Sequence, residues 1–252
     1  MFNSRSAPYL SALLVSFSVF AATPVFAQAN NAVAAIAALA ESEQTKLLDT
    51  LKALVNIETG STHRDGLDTA AEFIGARLKA LGGEVEIVEA PAADIYQLEG
   101  LPDRIGRAVR ATFRGTGSKR ILLLAHMDTV YPVGMLSKQP FRIDGNLAYG
   151  LGIADDKQGV ATIIHVVAML QALNARDYGV LTVLINGDEE ISSPASRKLI
   201  AKLGSEHDAV LSFEASRHNS DKISLATSGI AMATMTVKGR SSHAGGAPER
   251  GV

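Results

Sequence analysis

The sequence predicts an α/β fold with three layers, α/β/α, around a mixed, largely parallel sheet. The first indication is a set of apolar runs without polar alternation, which is typical of strands covered by helices on both faces of a sheet. The second is that segments with helical spacing of apolar residues lie between these runs. The apolar runs lie within residues 119–131, 179–190 and 208–214.

The composition indicates an ordinary globular protein, because 47% of the 252 residues are hydrophobic and 20% are charged. The formal net charge of -2 gives no reason to expect a nucleic acid or an anionic membrane as a partner. The sequence contains no cysteine, which excludes thiolates as nucleophiles or metal ligands. Any metal must therefore be bound by histidine, aspartate and glutamate.

Residues 1–27 are predicted to be a secretory signal peptide. A basic residue precedes an apolar run, residues 9–22, that is short for a membrane span, and a cleavage site follows that ends at Ala27. An N-terminal membrane anchor is the alternative, but Thr23 and Pro24 interrupt the run. We therefore expect a periplasmic or secreted protein with no membrane partner after cleavage.

The other elements follow in chain order. Apolar residues at helical spacing predict helices, and alternating apolar and polar residues predict further strands. The predicted helices cover residues 33–56, 67–81 and 157–173. The further strands cover residues 84–89 and 108–114, and a short hairpin joins 141–143 to 147–149.

His126 and Asp128 directly follow the apolar run of residues 121–125. Side chains two residues apart on a strand share a face, so these two point the same way. The carboxylate of Asp128 can then hold one ring N–H of a metal-binding imidazole and fix its orientation. A capped strand end or a surface ion pair gives the same pattern, so the pair alone is not specific.

Acidic residues follow the other two apolar runs, and more lie in a glycine-framed loop, residues 149–159, before a predicted helix. An ordinary helix cap or a solvated acidic loop would explain any one of these groups. Because ligands gather at the carboxyl ends of parallel strands, the groups together predict one metal site at this edge of the sheet. The acidic residues are Asp155, Asp156, Asp188, Glu189, Glu190 and Glu214.

The remaining histidines are not predicted to bind this metal. His165 lies among apolar residues of a predicted helix and is interpreted as a packed residue. His207 precedes its strand, so it is expected at the opposite end of the sheet and exposed. His63 and His218 are interpreted as loop residues without a partner.

Five short motifs together resemble the di-zinc exopeptidase family of glutamate carboxypeptidases, aminoacylases and succinyl-diaminopimelate desuccinylases. The resemblance extends from about Leu47 to the last residue and is greatest to the exported, folate-cleaving carboxypeptidase G type. The motifs are HMDTV at His126, GIADDK ending at Lys157, DEE ending at Glu190, SFE at Glu214 and SSHAG around His243.

The resemblance implies a catalytic domain over residues 28–227 that binds two Zn²⁺ ions per subunit. It implies that Asp155 bridges the two ions. The other implied ligands are His126, Glu190 and Glu214. The implied catalytic residues are Glu189 as general base, Asp128 behind the ligating histidine, and His243.

Residues 228–252 are expected to begin an α+β lid and dimerisation domain, with a strand over residues 230–238. In the family the histidine that corresponds to His243 reaches the active site of the partner subunit, so the resemblance implies a homodimer. An exposed loop histidine is the alternative interpretation. The family takes one further imidazole ligand from a segment after the lid, so we expect that ligand beyond residue 252 and an incomplete copy of a longer enzyme.

The implied reaction is hydrolysis of a small peptide or an N-acyl amino acid, with release of a C-terminal amino acid such as glutamate. An N-acyl amino acid deacylase or a desuccinylase with the same metal centre is one alternative. A metal-binding fragment without turnover is another. The sequence departs from the family pattern at Gln158, where glycine is common, and at residues 191–194, where glycine and serine usually follow the paired glutamates.

Overall fold

The computed structural model describes residues 24–215, 222–231, 233, 235–236 and 238–251. The chain divides into two compact units, Met1–Ser42 and Glu43–Val252. The predicted signal peptide lies largely outside the described residues. Among the helices that are described, none is both long and apolar enough to cross a membrane.

Four α-helices and seven strands are described. The helices are α1 (Pro24–Val55), α2 (Arg64–Ala80), α3 (Gln158–Ala172) and α4 (Arg197–Glu206). The strands are β1 (Glu84–Val88), β2 (Ala108–Arg114), β3 (Arg120–His126), β4 (Arg142–Asp144), β5 (Leu147–Tyr149), β6 (Val180–Asn186) and β7 (Ala209–Ser212). Helices α3 and α4 lie between the apolar strands in the chain order.

One five-stranded sheet has the order β1-β2-β6-β3-β7, and β4 pairs with β5 in a separate hairpin. The three apolar strands lie side by side, because β3 pairs in parallel with both β6 and β7. The alternating strands β1 and β2 are added antiparallel at the other side. The predicted mixed α/β sheet is therefore confirmed, and its parallel part contains all three strands that end in ionisable residues.

The sheet is covered on both faces. Alternate residues of β3 and β6 face a large core formed with the C-terminal part of α1, α2 and α3, which includes Leu54, Leu67, Ile74, Ile163, Leu123 and Val183. The intervening residues face a smaller core with α4, formed by Ala108, Leu122, Leu184 and Leu203. Because both faces of the central strands are buried, successive residues are apolar, and the runs show no alternation of apolar and polar residues.

The structure differs from the sequence prediction at two elements. No helix was predicted over Arg197–Glu206, yet α4 forms there and supplies the second helical layer. The strand expected over residues 230–238 is not present among the described residues of that segment. The only regular structure described after β7 is a helical turn at Pro248–Arg250.

His165 is a packed helix residue, as predicted. It is buried on α3, where its Nε2 lies 2.9 Å from Thr50 Oγ1 and its Nδ1 lies 2.9 Å from Glu43 Oε2. Both partners belong to α1, so the imidazole joins the two helices through hydrogen bonds at both ring nitrogens.

His207 is half-buried, and the prediction that it is exposed is wrong. Its Nδ1 lies 2.6 Å from Leu203 O and its Nε2 lies 2.8 Å from Thr182 Oγ1, because the end of α4 folds over the amino-terminal half of β6. His63 has a partner, with its Nδ1 3.0 Å from Glu58 O. His218 lies outside the described residues.

Two helical glycines should respond oppositely to alanine. A Cβ at Gly204 meets no atom within 4 Å, so Gly204→Ala is expected to stabilise the fold by about 0.5–1 kcal/mol. A Cβ at Gly159 would lie 2.2 Å from Asp156 Oδ1, so Gly159→Ala is expected to destabilise it by about 1–3 kcal/mol. Urea unfolding of both variants measures the two free energies, and a Gly159→Ala variant as stable as the parent would contradict this packing.

Candidate metal centre

The candidate metal centre lies at the carboxyl edge of the parallel strands. His126, the last residue of β3, is level with Asn186 of β6, and Leu124 is level with Ser212 of β7. The residues that follow each strand therefore leave the sheet at the same edge. Glu189 and Glu190 follow β6, and Glu214 follows β7.

The side chains of His126, Asp155, Glu190 and Glu214 are hereafter called the cluster. His126 Nε2 lies 2.9 Å from Asp155 Oδ1 and 3.6 Å from Glu214 Oε1. One ligand atom each of His126, Asp155 and Glu190 lies within 4.8 Å of the others. The imidazole is buried, whereas the carboxylates are partly or largely exposed, so the cluster is open to solvent on one side.

Asp128 is completely buried beneath the cluster. Its carboxylate accepts hydrogen bonds from Ser61 Oγ at 2.8 Å and from the backbone N–H groups of Glu189 and Glu190 at 3.0 and 3.1 Å. Its backbone oxygen lies 3.1 Å from His126 Nδ1, and its Oδ1 lies 3.4 Å from the same nitrogen. Asp128 therefore both orients the imidazole and fixes the backbone of the paired glutamates.

Asp188 is also completely buried but points away from the cluster. Its carboxylate accepts the backbone N–H groups of Ala195 and Ser196 at 2.7 and 3.0 Å and the Ser196 hydroxyl at 2.5 Å. The sequence does not reveal this role, because Asp188 stands directly beside the two glutamates. A buried carboxylate that binds backbone N–H groups closes the loop between β6 and α4.

The Asp155–Asp156 pair lies in the turn that precedes α3. Asp156 is buried, and its Oδ1 accepts Gly159 N at 3.2 Å and Gln158 Nε2 at 3.3 Å. Gln158 Nε2 also lies 3.4 Å from the backbone oxygen of Glu214. The departure from the family pattern at Gln158 thus places an amide between the two acidic segments of the site.

The electrostatics of the cluster are those of a site built around a cation. Burial disfavours the charged form of His126, but the carboxylates of Asp128 and Glu214 outweigh it and raise the pKa to about 12. Burial, followed by the charge of Asp155, raises the pKa of Glu190 to about 7. The hydrogen bond with His126 lowers the pKa of Glu214 to about 2. In the metal-free protein the imidazolium partly neutralises the surrounding acids.

The donor set fits a zinc ion. One imidazole nitrogen and several carboxylate oxygens converge, which suits zinc or another divalent transition ion. Glu189 is exposed beside this set. Among the described contacts, His243 is engaged only within its own loop, where its Nδ1 accepts Gly245 N at 3.2 Å and its carbonyl accepts Gly246 N and Ala247 N.

Comparison with known proteins finds similarity to peptidases of the kind that the motifs resemble. A sequence model of the peptidase family M20/M25/M40 matches residues 122–238. Carboxypeptidase G2 from Pseudomonas sp. strain RS-16 is 44% identical over 213 residues, which cover 84% of this chain and 49% of that protein. A putative succinyl-diaminopimelate desuccinylase, DapE, from Mycobacterium tuberculosis is 38% identical over 93 residues, which cover 37% of this chain and 24% of that protein. The predicted resemblance is confirmed.

The chain is thus similar in sequence to the M20/M25/M40 peptidases. Among solved structures, the di-peptidase Dug1p from Saccharomyces cerevisiae has a TM-score of 0.61 at 21% identity, covering 72% of this chain and 40% of that chain. That likeness shows a shared fold. The chain spans about half the length of carboxypeptidase G2, since the match covers 49% of it.

The pKa values of the cluster and of the neighbouring Asp156 predict how stability depends on pH in the metal-free protein. Burial raises the pKa of Glu190 and of Asp156 to about 7, from ordinary values of 4.5 and 3.8. The folded state therefore binds more protons than the unfolded state between about pH 5 and pH 7, and stability falls as the pH rises. The raised pKa of His126 acts in the same direction above about pH 6.5.

We expect the protein in EDTA to be less stable at about pH 8 than at about pH 5, by on the order of 1 kcal/mol after solvent screening. Urea unfolding at the two pH values measures the difference. Glu190→Gln should reduce the difference in stability between the two pH values, because a glutamine side chain does not titrate. Greater stability at pH 8 than at pH 5 would contradict the electrostatic description of the cluster.

Proposed function

We propose that the protein is a zinc-dependent metallo-exopeptidase that hydrolyses a peptide or amide bond and releases a C-terminal amino acid, with glutamate as the expected product. The observation that supports this most is the convergence of His126, Asp155 and Glu190 at the carboxyl edge of the sheet. The 44% identity to carboxypeptidase G2 supports the carboxypeptidase class. Export to the periplasm or medium, and dimerisation through a domain that begins at residue 228, belong to the same proposal.

The four residues of the cluster would hold the zinc ions, and Asp155 would be the ligand that two ions share. When bound there, zinc supplies a Lewis acid that polarises the scissile carbonyl and makes a water more acidic. Asp128 contributes by holding the His126 ring so that Nε2 faces Asp155. Its backbone oxygen holds the ring at Nδ1, and its buried carboxylate fixes the backbone of the glutamates before any ligand binds.

Glu189 is the proposed general base. Burial raises the pKa of its carboxyl group, which brings it closer to neutrality, where a group can both accept and return a proton. Its carboxylate takes a proton from the attacking water and then donates it to the leaving amine. The hydrogen bond from its own backbone N–H to Asp128 positions this residue at the edge of the site.

A desuccinylase or N-acyl amino acid deacylase is the second candidate, favoured by the 38% identity to the mycobacterial DapE over 93 residues. Both reactions cleave an amide and use the same kind of site. Hydrolysis of an N-acyl glutamate and of a folate-like substrate, compared with hydrolysis of succinyl-diaminopimelate, separates the two.

Glu189→Gln is expected to lower kcat by roughly 10²–10⁴-fold, because glutamine cannot transfer the proton. Zinc content, measured by elemental analysis, should remain that of the parent. Glu206→Gln, an exposed glutamate at the end of α4, is the matched control and should leave kcat unchanged. Unchanged turnover in Glu189→Gln would remove this residue from the mechanism.

Asp155→Ala is expected to weaken zinc binding by more than roughly 100-fold, since the shared carboxylate is lost from both ions. Equilibrium dialysis against zinc followed by elemental analysis measures the loss. Asp144→Ala, in the exposed hairpin, is the control. Retention of one full equivalent of zinc at parental affinity would contradict the bridging role.

A further inference from the structure

An open pocket adjoins the paired glutamates, on the side where α4 begins. Its volume is about 580 Å³. Its walls include Glu189, Glu190, Ser192, Ser193, Arg197 and Ile200. This volume is that of a small-molecule site, and the pocket contains the proposed general base. Glu190 of the cluster and Arg197 therefore line one open space.

The guanidinium of Arg197 is held in place although it is exposed. Its Nη2 donates to the backbone oxygen of Ser192 at 2.7 Å, and its central carbon lies 4.2 Å from the centre of the Tyr96 ring. The Tyr96 backbone is itself tied down, because its N–H donates to Pro194 O at 2.8 Å. An arginine fixed in this way loses less conformational entropy when it binds a ligand than a free one would.

The charge of Arg197 is not neutralised by any described carboxylate. In the part of the chain that the structure describes, no aspartate or glutamate oxygen lies within 4.0 Å of its guanidinium nitrogens. Its neighbours in the pocket are nevertheless Glu189 and Glu190, whose charges repel an anionic ligand. A guanidinium has five N–H donors in a planar fork, and most remain free to bind a carboxylate.

We propose that Arg197 is a specificity-determining residue that binds a free carboxylate of the substrate. This inference rests on the proposed function, because it places the substrate between the cluster and α4. A fixed cation beside acidic groups attracts an anion that the rest of the site would repel. The competing interpretation is that Arg197 only supports the Ser192 loop.

The test measures binding in a Glu189→Gln background, loaded with zinc, so that turnover does not interfere. The probes are N-acetyl-L-glutamate and its uncharged diamide, titrated by calorimetry. Arg197→Ala should raise the Kd for N-acetyl-L-glutamate by roughly 10- to 100-fold. It should change the Kd for the diamide by less than about 2-fold. A residue that only supports the loop would affect both probes equally.

Two further variants complete the experiment. Arg197→Lys keeps the charge without the planar fork, so its affinity for N-acetyl-L-glutamate should lie between those of the parent and Arg197→Ala. The same binding measurement on Arg197→Lys replaces that on Arg197→Ala if the alanine variant is poorly folded. Lys198→Ala is the matched control, because Lys198 is paired with Asp94 at 2.9 Å and lines a different pocket. It should bind both probes as the parent does.

Turnover by the protein with intact Glu189 separates this inference from the proposed function. If the protein hydrolyses neither the acid nor the diamide, but Arg197→Ala selectively weakens binding of the acid, the proposed function is overturned and the inference about Arg197 stands. If hydrolysis occurs and Arg197→Ala weakens binding of both probes equally, or of neither, the inference is overturned. Failure of the parent to bind N-acetyl-L-glutamate more tightly than the diamide overturns it as well.

Discussion

The buried carboxylate of Asp128 is the constraint on which the site depends. A charge that is fully removed from water is tolerated only when hydrogen-bond donors replace the solvent, and three donors converge on Asp128. They come from the loop after α1 and from the turn after β6. The folding of three distant segments is therefore coupled to one side chain, and the backbone oxygen of the same residue orients His126.

Neighbouring acidic residues of the site have different roles: some stabilise the structure, and others are available to bind a ligand. Asp188 and Asp128 turn inward and bind backbone N–H groups, so their charges stabilise the structure. Glu189 and Glu190 follow and face the open side, where their desolvation raises their pKa values. Because the backbone of the glutamates is already fixed, a ligand that binds them does not need to order it.

The sequence was sufficient for the sheet and for the position of the cluster, because both follow from local signals. Uninterrupted apolar runs identify central strands, and parallel neighbours end at the same edge, so the residues after β3, β6 and β7 had to meet. Helix α4 was missed because its apolar positions, Leu199, Ile200 and Leu203, form only a narrow stripe in a short polar segment. The role of Asp188 was missed because nothing local distinguishes it from the glutamates; the N–H groups that bind it come from a turn several residues away.

The loop after the glutamates shows how a departure from the family pattern is tolerated. Ser192 and Ser193 have φ values of 72° and 50°, in the left-handed region that glycine adopts freely. A side chain there costs roughly 1–2 kcal/mol per residue. The hydrogen bonds that Asp188 accepts from Ala195 and Ser196 are charge-assisted and contribute about 1.5–3 kcal/mol each, which is enough to hold the turn against that strain. The two serines in this conformation therefore lower stability here, while the Ser192 carbonyl stays where Arg197 donates to it.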